Sequence, residues 1–164
     1  MDSWWREPVT IEIRYNCGKG HMTVNLNKFF EDQTISKMKK LINLVQRSDT
    51  PDQEDIIWEF IREDYQMIPG MMKAYANDYA DKKDEISRLE KILHDLILVR
   101  DRISGKRMRS EFQKAKVNPC REALASARSD MYWNKVLFNK YRKTSEIYEK
   151  LSVFYGKPLK KAEN

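Results

Sequence analysis

Nine lysine and arginine side chains are concentrated between residues 100 and 128 of the 164-residue chain. Only three acidic residues share that segment, so its formal net charge, nine minus three, is +6. Cations at this density can neutralise several phosphates, and the planar arginine fork adds directional hydrogen bonds that a lysine cannot make. The segment therefore predicts an anionic partner, with these candidate binding residues: Arg100, Arg102, Lys106, Arg107, Arg109, Lys114, Lys116, Arg121 and Arg128.

The identity of that anionic partner stays open at the level of sequence. Met108 and Phe112 lie among the cations, which suits a nucleic acid and a negatively charged protein surface equally well. Two ordinary alternatives need no other molecule. The segment would form a solvated loop, or its cations would pair with an acidic helix of the same chain. The segment lacks the broad apolar face that enters a bilayer, so a membrane partner is not expected.

An acidic stretch in the first half of the chain offers the opposite charge. A solvated helix face is the ordinary explanation for it, and charge mimicry that occludes a partner is the functional one. Aromatic residues precede the first strand and crowd the last helix, and most of them are expected in the core. Any that are left exposed would be typical interface anchors: Trp4, Trp5, Tyr132, Trp133, Tyr141, Tyr148, Phe154 and Tyr155. The residues of this alternative protein interface are Asp52, Glu54, Asp55, Glu59, Glu63 and Trp133.

Metal-dependent and nucleophilic chemistry is not supported. Cys17 and His21 have plausible ligand spacing, but a structural zinc site needs four ligands, and the remaining Cys120 and His94 each stand alone in a predicted helix. A Ser-x-x-Lys string at Ser36 lacks the companion motifs of that chemistry. The sequence therefore predicts a protein that is not an enzyme, with no catalytic residues, no metal and no cofactor.

Length and composition favour one folded domain over residues 1–164. Residues 1–99 carry 14 basic against 18 acidic residues, a net of −4, whereas residues 100–164 carry 17 against 7, a net of +10. The chain begins without a secretion signal, no apolar run has the length of a bilayer span, and two cysteines suit a reducing compartment. We therefore expect a cytoplasmic location.

The amino-terminal third predicts a β-hairpin followed by short helices. Residues 8–15 and 21–27 alternate apolar and polar side chains around glycines, which is typical of a hairpin over residues 8–27. Residues 28–67 follow as short helices, one ending near Arg47 and the next starting at Thr50-Pro51 with a capping hydroxyl and a first-turn proline. Pro69-Gly70 is expected to stop or sharply bend that helix.

The remaining chain predicts a long antiparallel helical hairpin over residues 71–155. Apolar residues recur at helical spacing from Met72 to Ile103, giving one long amphipathic helix. A short basic helix over 106–116, a break at Val117-Asn118-Pro119 and a final helix to Tyr155 follow, with residues 156–164 as a loose tail. The expected fold is mainly α (α+β). The amino-terminal β-hairpin packs on an elongated antiparallel helical hairpin with shorter helices, and the basic segment lies at the turn of the helical hairpin. The oligomeric state is left open.

In size and in its Lys-, Met- and Tyr-rich composition, the chain resembles the small accessory proteins of bacterial phages and mobile elements, among them anti-CRISPR proteins. The resemblance covers no motif and transfers no site residue. It implies a partner of a particular kind, an RNA-guided CRISPR nuclease whose guide-bound or DNA-bound state the protein would block. The sequence thus predicts a non-enzymatic protein that binds a nucleic acid or nucleoprotein, with a protein-only adaptor or inhibitor as the alternative.

Overall fold

The computed structural model describes residues 7–15, 20–31 and 34–160. Trp4, Trp5, Cys17 and residues 161–164 of the predicted tail lie outside these ranges. The elements in chain order are β1 (Thr10–Tyr15), β2 (Gly20–Asn25), α1 (Leu26–Phe29), α2 (Ile35–Arg47), α3 (Gln53–Arg102), α4 (Lys106–Phe112), a π-helical segment (Gln113–Val117) and α5 (Asn118–Tyr155). This confirms the predicted mainly helical fold with an amino-terminal hairpin.

The two strands form an antiparallel pair whose register follows the apolar alternation. Ile11 lies opposite Val24 and Ile13 lies opposite Met22, and the inward positions Ile11, Ile13 and Val24 are buried. The outer edge of β1 is closed by the α2–α3 loop, since the carbonyl oxygen of Arg14 accepts from the Asp49 amide at 2.6 Å. A strand pair that is marginal alone is thereby fixed to the helices.

Contacts divide the chain into two compact units. The terminal unit comprises Met1–Pro69 with Lys143–Asn164, and the hairpin unit comprises Gly70–Arg142. Helices α3 and α5 contribute residues to both units.

The core of the terminal unit is formed by the hairpin, α2 and the first turns of α3. Helix α2 buries one apolar face, formed by Met38, Leu41, Ile42 and Val45. On the other helix, the Phe60 ring stacks on Phe30 with centroids 5.5 Å apart. The following residues of α3 and α5 complete this core: Ile57, Trp58, Ile61, Ile68, Tyr148 and Leu151.

The predicted stop at Pro69-Gly70 is wrong, because α3 continues through both residues, and the alternative of a sharp bend stays a prediction. A proline in a helix interior removes one backbone hydrogen bond and costs about 3 kcal/mol. Both residues are exposed, while Ile68 immediately before them is buried in the terminal unit and Ile86 further along is buried in the hairpin unit. Burial of apolar side chains on each side of the proline offsets the local cost, so the boundary predicted between residues 67 and 71 is not a helix boundary.

The hairpin unit is built on the predicted apolar seam. Ile86 of α3 is buried together with Leu124 and Ala127 of α5, and the partly buried residues Leu89, Leu93 and Met131 pack against them. Arg128 pairs with Glu90 at 3.1 Å, and the rings of Tyr75 and Tyr141 stack at 5.8 Å. Because residue numbers rise along one helix as those of their partners fall along the other, the two helices run antiparallel within this unit.

The predicted break at Val117-Asn118-Pro119 is also wrong. Helix α4, the π-helical segment and α5 follow one another without interruption from Lys106 to Tyr155. The amide of Asn118 donates to the carbonyl oxygen of Gln113, five residues back, and Val117 is fully buried. Since Pro119 cannot donate to a carbonyl one turn earlier, a widened turn absorbs the mismatch and the helix continues.

The predicted carboxyl-terminal end of the last helix is confirmed. Gly156 has a φ of +64°, and the Lys157 amide donates to the carbonyl oxygen of Ser152 at 3.0 Å. This left-handed conformation after the last helical residue lets a terminal carbonyl of the helix accept a hydrogen bond. Glycine adopts the conformation without steric cost.

Candidate nucleic-acid interface

The turn between the two arms of the hairpin unit is held by a chain of polar side chains. Arg100, at the end of α3, donates from Nη1 to Oε1 of Gln113 at 2.7 Å. Gln113 donates from Nε2 to Oδ1 of Asn118 at 2.8 Å. Arg100 also pairs with Asp101 at 3.0 Å. Arg100 was a candidate binding residue, and the structure uses its charge inside the protein.

Helix α4 carries three of the predicted cations and buries none of its side chains. The Arg107 side chain is 91% exposed and lies 3.4 Å from Glu111, one helical turn on. Such an exposed pair is weak and leaves the guanidinium available. Met108 is 59% exposed, and Phe112 is the one residue of α4 that is partly buried.

Most of the other predicted cations are open as well. Arg128 is the second one used internally, through its pair with Glu90. The side chains of the rest are exposed and form no ion pair or hydrogen bond with any residue of ranges 7–15, 20–31 and 34–160, apart from the pair already given for Arg107. We call these residues the basic tip: Arg102, Lys106, Arg107, Arg109, Lys114, Lys116 and Arg121.

The position of α4 is set at its base by the hydrogen-bonded side chains of Arg100, Gln113 and Asn118. Gln113 stands level with Arg100, near the last turn of α3. The seven residues of α4 precede Gln113 in the same continuous helix, so at 1.5 Å per residue α4 extends about 10 Å beyond that level. Lys106, Arg107 and Arg109 of the basic tip are therefore displayed on a helix with little protein against it.

The acidic candidates are used differently from one another. Glu54 accepts from Gln46 Nε2 at 3.0 Å and from Trp58 Nε1 at 3.3 Å, so its carboxylate holds α2 and α3 together. Asp52, Asp55, Glu59 and Glu63 are exposed in the terminal unit. Trp133 belongs to the hairpin unit, so the residues predicted for the alternative interface are divided between the two units.

Trp133 lies beside a groove of the hairpin unit with a volume of about 500 Å³. Its side chain is 56% exposed and meets the edge of Tyr132, whose side chain is 60% exposed. Lys82 pairs with Glu85 at 3.0 Å and Asp130 at 3.5 Å, and the hydrogen bond to Glu85 raises the pKa of Lys82. Apart from Trp133, the groove lining was missed from the sequence, although acidic residues recur in it at helical spacing: Asp78, Asp81, Lys82, Glu85, Asp130, Trp133 and Asn134.

The described part of the chain contains no group of three or more His, Cys, Asp or Glu residues that could hold a metal ion. His94 is exposed beside Asp95 at 3.7 Å, and His21 is exposed on β2. Cys120 is buried, with its sulfur 3.7 Å from the carbonyl oxygen of Leu89. None of the helices in the described ranges combines the length and apolar content needed to cross a membrane.

Comparisons with protein-family models, with curated proteins and with solved structures found no match to this chain.

Proposed function

We propose that this protein is a non-enzymatic binding protein that engages nucleic acid, free or within a nucleoprotein, through the basic tip. The observation that supports the proposal is the set of exposed cations on and next to α4, of which Arg107 alone pairs with a carboxylate of the described residues, through a weak exposed contact to Glu111. A cation without an internal ion pair loses no such contact when it binds a phosphate. The counterions that are then released drive binding.

The tip is better suited to phosphates than to an acidic protein surface. Stable protein interfaces centre on aromatic or aliphatic anchors that become fully buried. Phe112 is the single aromatic residue between positions 100 and 128, and it is already partly buried. Met108 remains as the one large exposed apolar side chain of α4. A surface rich in cations and poor in anchors matches a polyanion whose charges are evenly spaced.

The form implied by the resemblance is more specific. According to this version of the proposal, the nucleic acid belongs to an RNA-guided nuclease in the cytoplasm. The protein blocks the guide-bound or DNA-bound state of that nuclease. This form rests on size and composition alone. Cleavage assays with a purified RNA-guided nuclease, with and without this protein, test it separately from nucleic-acid binding.

Fluorescence anisotropy of labelled single-stranded DNA, duplex DNA and structured RNA across a salt series tests the proposal. If the seven side chains of the tip contact phosphates, log K should fall with log salt at a slope of about −5 to −6. The triple substitution Lys106→Glu, Arg107→Glu and Arg109→Glu should abolish binding.

The matched control is Lys37→Glu, Lys40→Glu and Arg47→Glu, which makes the same change in net charge on the exposed face of α2 in the terminal unit. Equal loss of affinity in the two triple variants would show that net charge alone drives binding. Absence of binding at low salt would contradict the proposal.

A second candidate function, a protein-only inhibitor or adaptor, is favoured by the exposure of Trp133. An exposed indole beside a groove lined by four carboxylates suits a partner surface that carries arginine or lysine. Trp133→Ala should then remove binding to a purified partner, whereas the triple substitution in α4 should not. The reverse result assigns the interaction to the basic tip.

A further inference from the structure

We infer that the ligand of the basic tip is B-form duplex DNA and that α4 enters its major groove, an inference that rests on the proposed function. Six of the seven residues of α4 are exposed, and Phe112 at its carboxyl-terminal end is partly buried. It is also continuous with the π-helical segment and α5, so it projects as part of a longer helix. The end of a helix with little burial gains little stability from tertiary packing. Contacts on several sides at once would stabilise it.

The order of residues along α4 places its cations on one side. At about 100° per residue, Lys106, Arg107 and Arg109 fall within an arc of about 160°, with Ser110 near the middle. Met108 and Phe112 lie on the opposite side, and Phe112 is partly buried. Cations at both margins of the arc can reach the phosphates that border a groove, and the Ser110 hydroxyl can hydrogen-bond to base edges on its floor.

The dimensions of nucleic acids select among possible ligands. The major groove of B-form DNA is about 12 Å wide and admits an α-helix, whose diameter with side chains is about 10–12 Å. The major groove of A-form RNA is too narrow and deep for side chains to read. Single strands are bound by stacking their bases on exposed aromatics, which the segment between residues 100 and 128 lacks.

The base of the projecting helix is fixed by the polar chain at the turn. Arg100, Gln113 and Asn118 join the end of α3 to the start of α5 through two hydrogen bonds. A helix fixed at its base loses less freedom when its far end is inserted into a groove. Lys114, Lys116 and Arg121 follow α4 along the same continuous helix and supply further contacts to the DNA backbone.

Binding to duplex DNA, duplex RNA and single-stranded DNA of equal length and sequence tests the inference. Duplex DNA should bind at least about tenfold more tightly than duplex RNA. Methyl green, a major-groove ligand, should displace the protein, and distamycin, a minor-groove ligand, should not. Equal affinity for the three ligands, or displacement by distamycin alone, would overturn major-groove insertion and leave the proposed function standing. No binding to any of them would overturn both.

A single substitution tests the placement of α4 itself. Ser110→Glu puts a carboxylate in the middle of the cationic arc, where it would face the groove, and should lower affinity for duplex DNA at least about tenfold through repulsion. Ser129→Glu makes the same change at an exposed position of α5 outside the basic tip and should leave affinity within about twofold. Circular dichroism checks that both variants fold. Wild-type affinity of the Ser110→Glu protein would exclude insertion of this face.

Discussion

The guanidinium of Arg100 donates a 2.7 Å hydrogen bond from Nη1 to Oε1 of Gln113 and so joins the end of α3 to the π-helical segment that leads into α5. Gln113 in turn donates a hydrogen bond from Nε2 to Oδ1 of Asn118, at the start of α5. A cation that charge counting assigns to a binding surface is therefore a structural residue. It sets the position of the basic tip, and the exposed cations beyond it remain open.

Replacement of Gln113 by leucine should reduce the free energy of unfolding by about 1 kcal/mol or somewhat more, because a partly buried Arg100 loses an acceptor. Urea denaturation measures the change, and amide hydrogen exchange should accelerate over residues 106–118. Lys114→Ala is the control. This neighbour is exposed and has no partner in the described ranges, so its removal should change stability by less than about 0.5 kcal/mol. Similar values for both variants would contradict the structural role of Gln113.

Leu124→Ala should destabilise the protein by about 2–4 kcal/mol, because it leaves a cavity in the cluster that Leu124 forms with Ile86 and Ala127. Thermal or chemical denaturation gives the value. Leu98→Ala removes the same atoms from a side chain that is 44% exposed on α3 and should cost less than about 1 kcal/mol. A larger loss at Leu98 would indicate that this exposed side is covered in solution.

Gly70 and Gly105 differ in backbone conformation, since Gly70 is helical and Gly105 has a positive φ. An added Cβ meets no atom within 4 Å at either Gly70 or Gly105, but Gly105 has a φ of +96°. Gly70→Ala should stabilise the protein by about 1 kcal/mol, since alanine suits a helix interior. Gly105→Ala should destabilise it by about 1–2 kcal/mol, since a side chain is strained at positive φ.

The two melting temperatures should therefore shift in opposite directions. A Gly70→Ala variant without added stability would contradict an uninterrupted α3.

Tyr65 should titrate above its ordinary value. Its hydroxyl donates to Oε1 of Glu149 at 2.8 Å, and this hydrogen bond, followed by burial and the charge of Glu149, raises the pKa of Tyr65 above 10.0. The folded state then holds the phenolic proton more tightly than the unfolded state does. The resulting stability is complete below pH 10 and is lost as the pH rises through the folded-state pKa.

Tyr65→Phe should remove this dependence. The difference in absorbance titration at about 295 nm between the wild-type protein and the variant isolates the Tyr65 phenol, whose ordinary pKa is about 10. A midpoint at or below 10.0 would contradict the hydrogen bond to Glu149.

Local sequence rules predicted the elements that local forces control. Alternation of apolar residues located the hairpin, and the helical spacing around Ile86 located the seam that α3 shares with α5. The same rules failed at Pro69 and at Pro119, where they predicted breaks in helices that continue. A proline costs a few kcal/mol locally, and burial of apolar residues on each side of it outweighs that cost.

The sequence by itself determined the charge and the apolar periodicity of this protein, because both are properties of residue type and order. It placed the basic residues at the turn of a helical hairpin. Only the tertiary structure decided which of them are open. Arg100 and Arg128 are engaged by Gln113 and Glu90, 13 and 38 positions away, and those partners meet them only after α3 and α5 have packed. Contacts between residues distant in sequence depend on that packing, so residue spacing alone could not separate the structural cations from the exposed ones.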